Sequence, residues 1–180
     1  MEKLIPYSSY ITTDWSGGKT SEIFIFPEGS SYSNSDYQAR ISLAKVDLEE
    51  SVFTKLPGVE RTLTVLEGNH MLSVNNLPFL PITQYSPVSF KGDDLTKGKG
   101  SALNFNFMKK SSKPHEINVM QVGAEERLVL LPKYENALLF IIEGNAKSRV
   151  GVLSHKDSLF FNEEIVVILE AETLFIKVDF

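Results

Sequence analysis

The densest chemistry in this chain lies near its start, in Asp14-Trp15-Ser16-Gly17-Gly18-Lys19-Thr20. A Trp beside two glycines can stand at a cavity mouth while the bare backbone comes close and offers amide donors. The same residues also fit an Asx/Gly turn with Trp15 capping a core. Their spacing is not that of a phosphate loop, whose two glycines are separated by a run of other residues before the Lys-Ser/Thr pair. Arg61 opens a strongly apolar run directly after Pro57-Gly58-Val59-Glu60. It either pairs at the surface with Glu60 or Asp36, or sits at a barrel mouth where its planar fork takes a carboxylate. Arg40 poses the same question, with Asp47 and Glu49 as its structural alternative. Asn104 and Asn106 alternate with Leu103, Phe105 and Phe107, so the amides share the face opposite the rings. With the rings toward the core, that amide face meets either solvent or a wet pocket, where Asn donates and accepts for an amide or carboxylate ligand.

Other chemistries find little support. The histidines His70, His115 and His155 are far apart and form no HxH or HExxH pattern, so no metal site and no cofactor are expected. No G-x-S-x-G marks a serine nucleophile. The chain has no cysteine, which removes thiolate catalysis, disulfides and iron–sulfur clusters. A net charge of -5 argues against a nucleic-acid backbone as partner, and the one compact basic cluster, Lys109-Lys110 with Lys113, reads as a solvated loop. No run approaches the roughly 20 apolar residues that span a bilayer, and no apolar signal-peptide core follows Met1-Glu2-Lys3-Leu4. A cytoplasmic protein without membrane association is the expectation.

The elements that must position these groups are strands. Tyr37 to Val46 alternates with period two, Ser21 to Phe26 is a short apolar run ended by Pro27, and Leu103 to Met108 alternates again. Short runs of this kind recur through Thr173 to Val178, with turns every 8–12 residues or so, the pattern of a sandwich or barrel. Thr96 to Ser101, rich in Gly and Lys, reads as an exposed loop. Leu66-Glu67-Gly68-Asn69 recurs as Ile142-Glu143-Gly144-Asn145, each after an apolar run, which predicts two β-hairpins in equivalent places. With 180 residues the chain can bury roughly 70% of its extended surface, enough for one domain or two fused lobes. The charge, serine and proline of Lys109 to His115 mark the join, giving lobes 1–110 and 111–180.

Taken together, WSGGKTSE (Trp15 to Glu22), RISLAKV (Arg40 to Val46), FTKLPGVERTLTVLEG (Phe53 to Gly68), FKGD (Phe90 to Asp93) and NFNFM (Asn104 to Met108) resemble the HutD/Ves family. These are cupin-type proteins associated with histidine-utilisation operons or described as stress-induced. The resemblance implies an all-β bicupin, two fused cupin-like barrel or sandwich lobes in one compact unit, with a polar pocket in the first. Family motifs fall on Trp15, Gly17, Gly18, Thr20 and Glu22; on Arg40, Ser42, Ala44 and Val46; on Pro57, Gly58, Glu60 and Arg61; on Phe90, Gly92 and Asp93; and on Asn104, Phe105, Asn106 and Met108. Two positions depart: Glu60 and Asn104 stand where Asp is usual, and the second change removes a charge. The usual cupin metal histidines are missing too.

The expected ligand is a small organic acid or amide, with Arg61, Arg40, Asn104 and Asn106 for polar contacts and Trp15 and Phe105 as apolar walls. Such a protein binds or senses a metabolite without a metal and moderates histidine utilisation. The alternative is an isomerase or hydrolase acting on a related metabolite, with Glu22, Glu60 or Asp93 as general base. Cupin barrels often pair, so the resemblance also allows a homodimer.

Overall fold

The computed structural model describes residues 1–110 and 114–180. The chain divides into two compact units, Ile11–Ser112 on the one hand and Met1–Tyr10 with Lys113–Phe180 on the other. Among the described residues the one helical element is a 3-10 turn at Tyr7–Ser9, and no helix is long and apolar enough to cross a membrane.

Each unit is built from a larger and a smaller sheet. In the first, six strands run in the order Ile11–Trp15, Gly18–Phe26, Ala39–Val46, Ala102–Lys109, Glu60–Gly68, Val88–Lys91. Its smaller sheet has the order Glu50–Val52, Thr96–Lys99, Met71–Val74, Leu80–Pro81. In the second, the five-stranded order is Glu2–Ile5, Ser158–Phe161, Ala137–Glu143, Thr173–Asp179, Glu116–Val122. The four-stranded one is Arg127–Leu130, Ile165–Leu169, Ala146–Ser148, Gly151–Leu153. Apolar residues of period two put one face of each strand between the sheets. Leu139, Ile141 and Phe175 meet Leu153, Val167 and Leu169 in the second unit. Leu63, Val65 and Ala102 meet Phe53 and Ile82 in the first. The Leu, Ile, Val and Phe side chains among these contribute about 1.5–3 kcal/mol each by leaving water.

Two expectations are corrected, and a third falls partly outside the described residues. The first ten residues do not belong to the N-terminal lobe, because Glu2–Ile5 pairs antiparallel with Ser158–Phe161 and so extends the second unit's sheet. The expected join, Lys109 to His115, includes residues 111–113, which lie outside the described residues. The segment Thr96 to Ser101 is not an exposed loop: Thr96–Lys99 is a strand paired on both sides, with Thr96 and Gly98 buried. Its glycine is needed inward, since a Cβ on Gly98 would stand 2.4 Å from His70 Nε2 and 3.0 Å from the Phe53 ring.

The repeated tetrad makes no hairpin. Glu60–Gly68 stays in the larger sheet while Met71–Val74 belongs to the smaller, and Ala137–Glu143 parts from Ala146–Ser148 in the same way. Both copies are corners where the chain crosses between sheets. Gly68 has φ +80° and Gly144 +86°, and a Cβ on either would meet a carbonyl of the neighbouring chain, Ser101 O at 2.3 Å or Glu172 O at 2.4 Å. A register shift accompanies each corner, between Leu103 and Asn104 in one unit and between Ile141 and Glu143 in the other. Counted from those shifts, Asn106 and Met108 correspond to Lys177 and Asp179, Arg61 to Ala137, and Arg40 to Glu116.

Gly68→Ala and Gly144→Ala are therefore expected to cost on the order of 1–3 kcal/mol each in urea unfolding, more than backbone angle alone accounts for. Gly123, with nothing within 4 Å of its Cβ position, is the control, and Gly123→Ala should be neutral or slightly stabilising.

Candidate ligand-binding site

The strand Ala102–Lys109 is the frame of the site, because it is paired along its length on both sides. Its inward residues are Ala102, Asn104, Asn106 and Met108, alternating with Phe105 and Phe107 on the opposite face. Met108 has Arg61 as its neighbour on one side and Arg40 on the other. The two arginines therefore lie one strand either side of Met108, with Cα atoms about 10 Å apart. Asn106 follows one pleat along, between Leu63 and Ser42.

Both guanidinium groups are buried; Arg40 is 8% and Arg61 9% exposed. Arg40 donates from Nε to Glu22 at 2.7 Å, and its guanidinium lies 4.4 Å from the centre of the Tyr32 ring. Arg61 lies between Phe53 and Phe90, 5.0 and 5.3 Å from their centres, and donates to Thr54 O at 3.1 Å. Among the described residues no carboxylate pairs with Arg61. Burial pulls its pKa below the ordinary arginine value, Tyr32 and Tyr37 oppose that, and Arg40 adds to it. The Tyr37 hydroxyl is pushed up, first by burial and then by Tyr32, against the pull of Arg40 and Arg61. A guanidinium stays protonated under such shifts. The result is two buried cations in an aromatic surround, Arg40 paired with Glu22 and Arg61 held by a backbone carbonyl and two rings.

Further along the same face, Asn104 Nδ2 donates to His70 Nδ1 at 2.9 Å. Both side chains are 1% exposed. The His70 ring packs 6.2 Å from that of Phe53.

The structure brings together Arg40, Arg61, Asn104, Asn106 and Glu22, and separates the rest. Phe105 is fully buried on the face opposite the two asparagines, so it is no wall of their pocket. Trp15 pairs with Gly18, in the row of Val46 and Ala102, six residues and roughly 20 Å along the sheet from the arginine row. It is 40% exposed, and its ring covers Gly17, where a Cβ would meet it at 2.1 Å. Those glycines thus answer to packing, Gly18 lying under Lys45 O. Glu60 is exposed and alternates with Arg61, so it faces away from it. Asp93 is exposed and accepts from Gly58 N at 3.4 Å, holding the turn before Arg61. Asp36 accepts from Ser31 N instead of meeting Arg61, and Asp47 pairs with Lys45 instead of Arg40. Glu22, first considered as a base, is Arg40's partner.

Tyr32, Tyr37, Phe53 and His70 were not legible as site residues. Tyr32 comes from the loop after Phe26–Pro27, which carries no period; Tyr37 heads the alternating run but lies just before its strand, Ala39–Val46; and His70 is a lone histidine. His155 donates from Nδ1 to Ile142 O at 2.5 Å in the other unit. Among the described residues no group of three or more His, Asp or Glu is placed to hold a metal ion.

The equivalent place in the second unit is built differently. Lys177 contacts both oxygens of Asp179, at 2.6 Å for Oδ2, and Lys133 pairs with Glu116. Lys133 N also donates to Asp179 Oδ1 at 2.8 Å, and Asn118 to Glu116 at 2.8 Å. Two acids and two bases cancel there; at the first unit's place Arg61 has no carboxylate partner among the described residues.

A sequence model of the HutD family matches residues 7–176. The chain belongs to the HutD family. Protein Ves of Escherichia fergusonii is 30% identical over 97 residues, 51% of this chain and 48% of that protein, so the match spans about half the relative's length. The fold is that of HutD from Pseudomonas fluorescens SBW25, at TM-score 0.76 and 20% identity over 99% of this chain and 98% of that one. A cupin 2 conserved barrel domain protein from Leptotrichia buccalis shares it at TM-score 0.64 and 14% identity, over 98% and 94%. This HutD-family chain is thus an all-β, two-lobed cupin-like protein, as its motifs implied.

Burial also holds the His70 imidazole below its ordinary value, against the smaller opposing effect of its bond to Asn104. The unfolded chain takes up that proton as pH falls through about 6.5, and the folded chain resists doing so. Stability should therefore decline as pH falls below that value. In urea unfolding from about pH 7 to about pH 5, His70→Phe should flatten the decline. Equal slopes in the two proteins would place the proton uptake elsewhere.

Proposed function

We propose that the first unit binds a small organic acid through its carboxylate, directly and without a metal, and thereby senses or restrains the level of a metabolite. One observation carries this reading: of two buried guanidiniums on one face, Arg40 is paired with Glu22 while Arg61 has no carboxylate partner among the described residues. A buried cation without a partner is costly, and an incoming carboxylate is the partner whose geometry fits the guanidinium fork. Asn106 on the same face supplies an amide donor, while Phe53, Phe90 and Tyr32 exclude water and strengthen the pairing. Guanidinium and amide groups recognise a carboxylate without an intervening ion. The family resemblance suggests the source, an intermediate of histidine breakdown such as urocanate or a formylated glutamate. A catalytic reading rests on Glu22 alone, since Glu60 and Asp93 lie off this face, and Glu22 is already engaged by Arg40.

The test is a thermal-shift screen of metal-stripped protein against urocanate, histidine, glutamate and formylglutamate, repeated with Arg61→Ala. Selective stabilisation by one acid is expected, weakened roughly tenfold or more in the variant, the scale of a lost charged hydrogen bond. The unliganded variant should be about as stable as the parent, because it sheds a buried cation. Unchanged affinity would remove Arg61 from the site, and no shift with any acid would end the carboxylate reading.

A further inference from the structure

The inward face of Ala102–Lys109 carries polar chemistry that the arginine pair leaves unused. The bond between Asn104 and His70 occupies one polar atom of each side chain, and Asn104 Oδ1 and His70 Nε2 are buried without a partner. With Nδ1 accepting, the neutral ring carries its proton on Nε2, so what remains is one N–H donor and one carbonyl acceptor. Turning the amide over exchanges the roles and leaves the same pair. Thr96 Oγ1, buried in the facing sheet, is also unpartnered. Such atoms are costly to leave unmatched. The missing side chain of Gly98 is what admits the ring, since a Cβ there would stand 2.4 Å from Nε2. The Phe53 ring is 5.0 Å from the Arg61 guanidinium and 6.2 Å from the His70 ring, which puts imidazole and guanidinium no more than about 11 Å apart.

We propose that His70 and Asn104 form an inner subsite for a neutral carboxamide at the far end of the ligand whose carboxylate meets Arg61 and Arg40. This rests on the carboxylate reading above and names the ligand class, an ω-amido acid with a spacer of about two to four carbons at hydrogen-bond reach from both ends. A carboxamide offers C=O to the free N–H and N–H to the free C=O. A second carboxylate would set oxygen against Asn104 Oδ1, and an alkyl end would leave both atoms unmatched. The neutral imidazole fits a neutral guest.

The experiment compares the monoamides of succinic, glutaric and adipic acids with the parent diacids and with straight-chain acids of equal length. Binding is followed calorimetrically and through the His70 imidazole nitrogen resonances. Acetate and acetamide serve as probes of the two ends separately. One amido acid is expected to bind roughly 10-fold or more tighter than its diacid and alkyl counterparts, because the site's polar atoms go unpaired otherwise. The Nε2 resonance should move with that compound and with acetamide, and stay with acetate. In His70→Phe/Asn104→Leu the preference should vanish while acetate binds as before. That double variant should be no less stable than the parent, since both polar partners are replaced together. Acids that bind with no amide preference, or a preference that survives the double variant, would overturn the inner subsite. Acetate failing while acetamide still moves Nε2 would refute the carboxylate reading and keep the subsite; both failing would overturn both. If the double variant does not fold, the wild-type series and the Nε2 resonance decide.

Discussion

Everything at the site depends on the two-residue period of one central strand. Ala102–Lys109 has hydrogen-bonded neighbours on both sides and buried residues on both faces, so its register has no freedom to slip. A shift of one residue would exchange Asn104, Asn106 and Met108 for Phe105 and Phe107, moving three sites of polar or sulfur chemistry out of the barrel. The register also fixes the arginines, because each is placed as a cross-strand neighbour of Met108. The Leu103/Asn104 irregularity and the corner at Gly68 pin it at one end, and the turn held by Asp93 and Gly58 stands before Arg61 at the other.

The second unit serves as an internal comparison. The same strand path and the same corner at Gly144 carry a different set of side chains into the equivalent place. Lys177 and Asp179 neutralise one another within two residues of sequence, and Lys133 answers Glu116. Ala137 stands where the first unit has Arg61. A cupin-like lobe of this chain thus folds well with its charges closed upon themselves. That Arg61 has no carboxylate partner among the described residues is a property of the first lobe's side chains and not of the architecture.

Much of this was legible beforehand. Alternation in Leu103 to Met108 correctly separated the amide face from the ring face, and Arg61 stood out as a cation at a strand end and Arg40 as one inside a strand. What failed did so for identifiable reasons. Phe105 was grouped with Asn106 by proximity in sequence, although a strand sends adjacent side chains apart. Trp15-Ser16-Gly17-Gly18 carried the composition of a ligand loop, while its glycines are set by the Trp15 ring and by Lys45 O. Gly and Lys in Thr96–Lys99 hid a strand, because Gly98 is absent-side-chain space for a histidine from another segment. The role of Glu22 depended on a cross-strand ion pair that no local spacing encodes. The tetrad repeat was real, yet a glycine at positive φ marks a change of direction without saying whether the chain returns to the same sheet.

His70 and Asn104 bear on why the first lobe keeps so much polarity inside. An apolar pair of similar shape would fill the volume beside Phe53 at no desolvation cost, as Leu, Ile and Phe do throughout the second unit's core. Instead one donor and one acceptor are left unmatched, near a cation with no carboxylate partner among the described residues. Folding alone gains nothing from three such groups arranged along one face. A guest with an anion at one end and a neutral donor–acceptor at the other satisfies them together, and it gains affinity from contacts the protein has already desolvated and fixed in place. On that proposal, the stability given up at those three groups is what would make the first lobe selective.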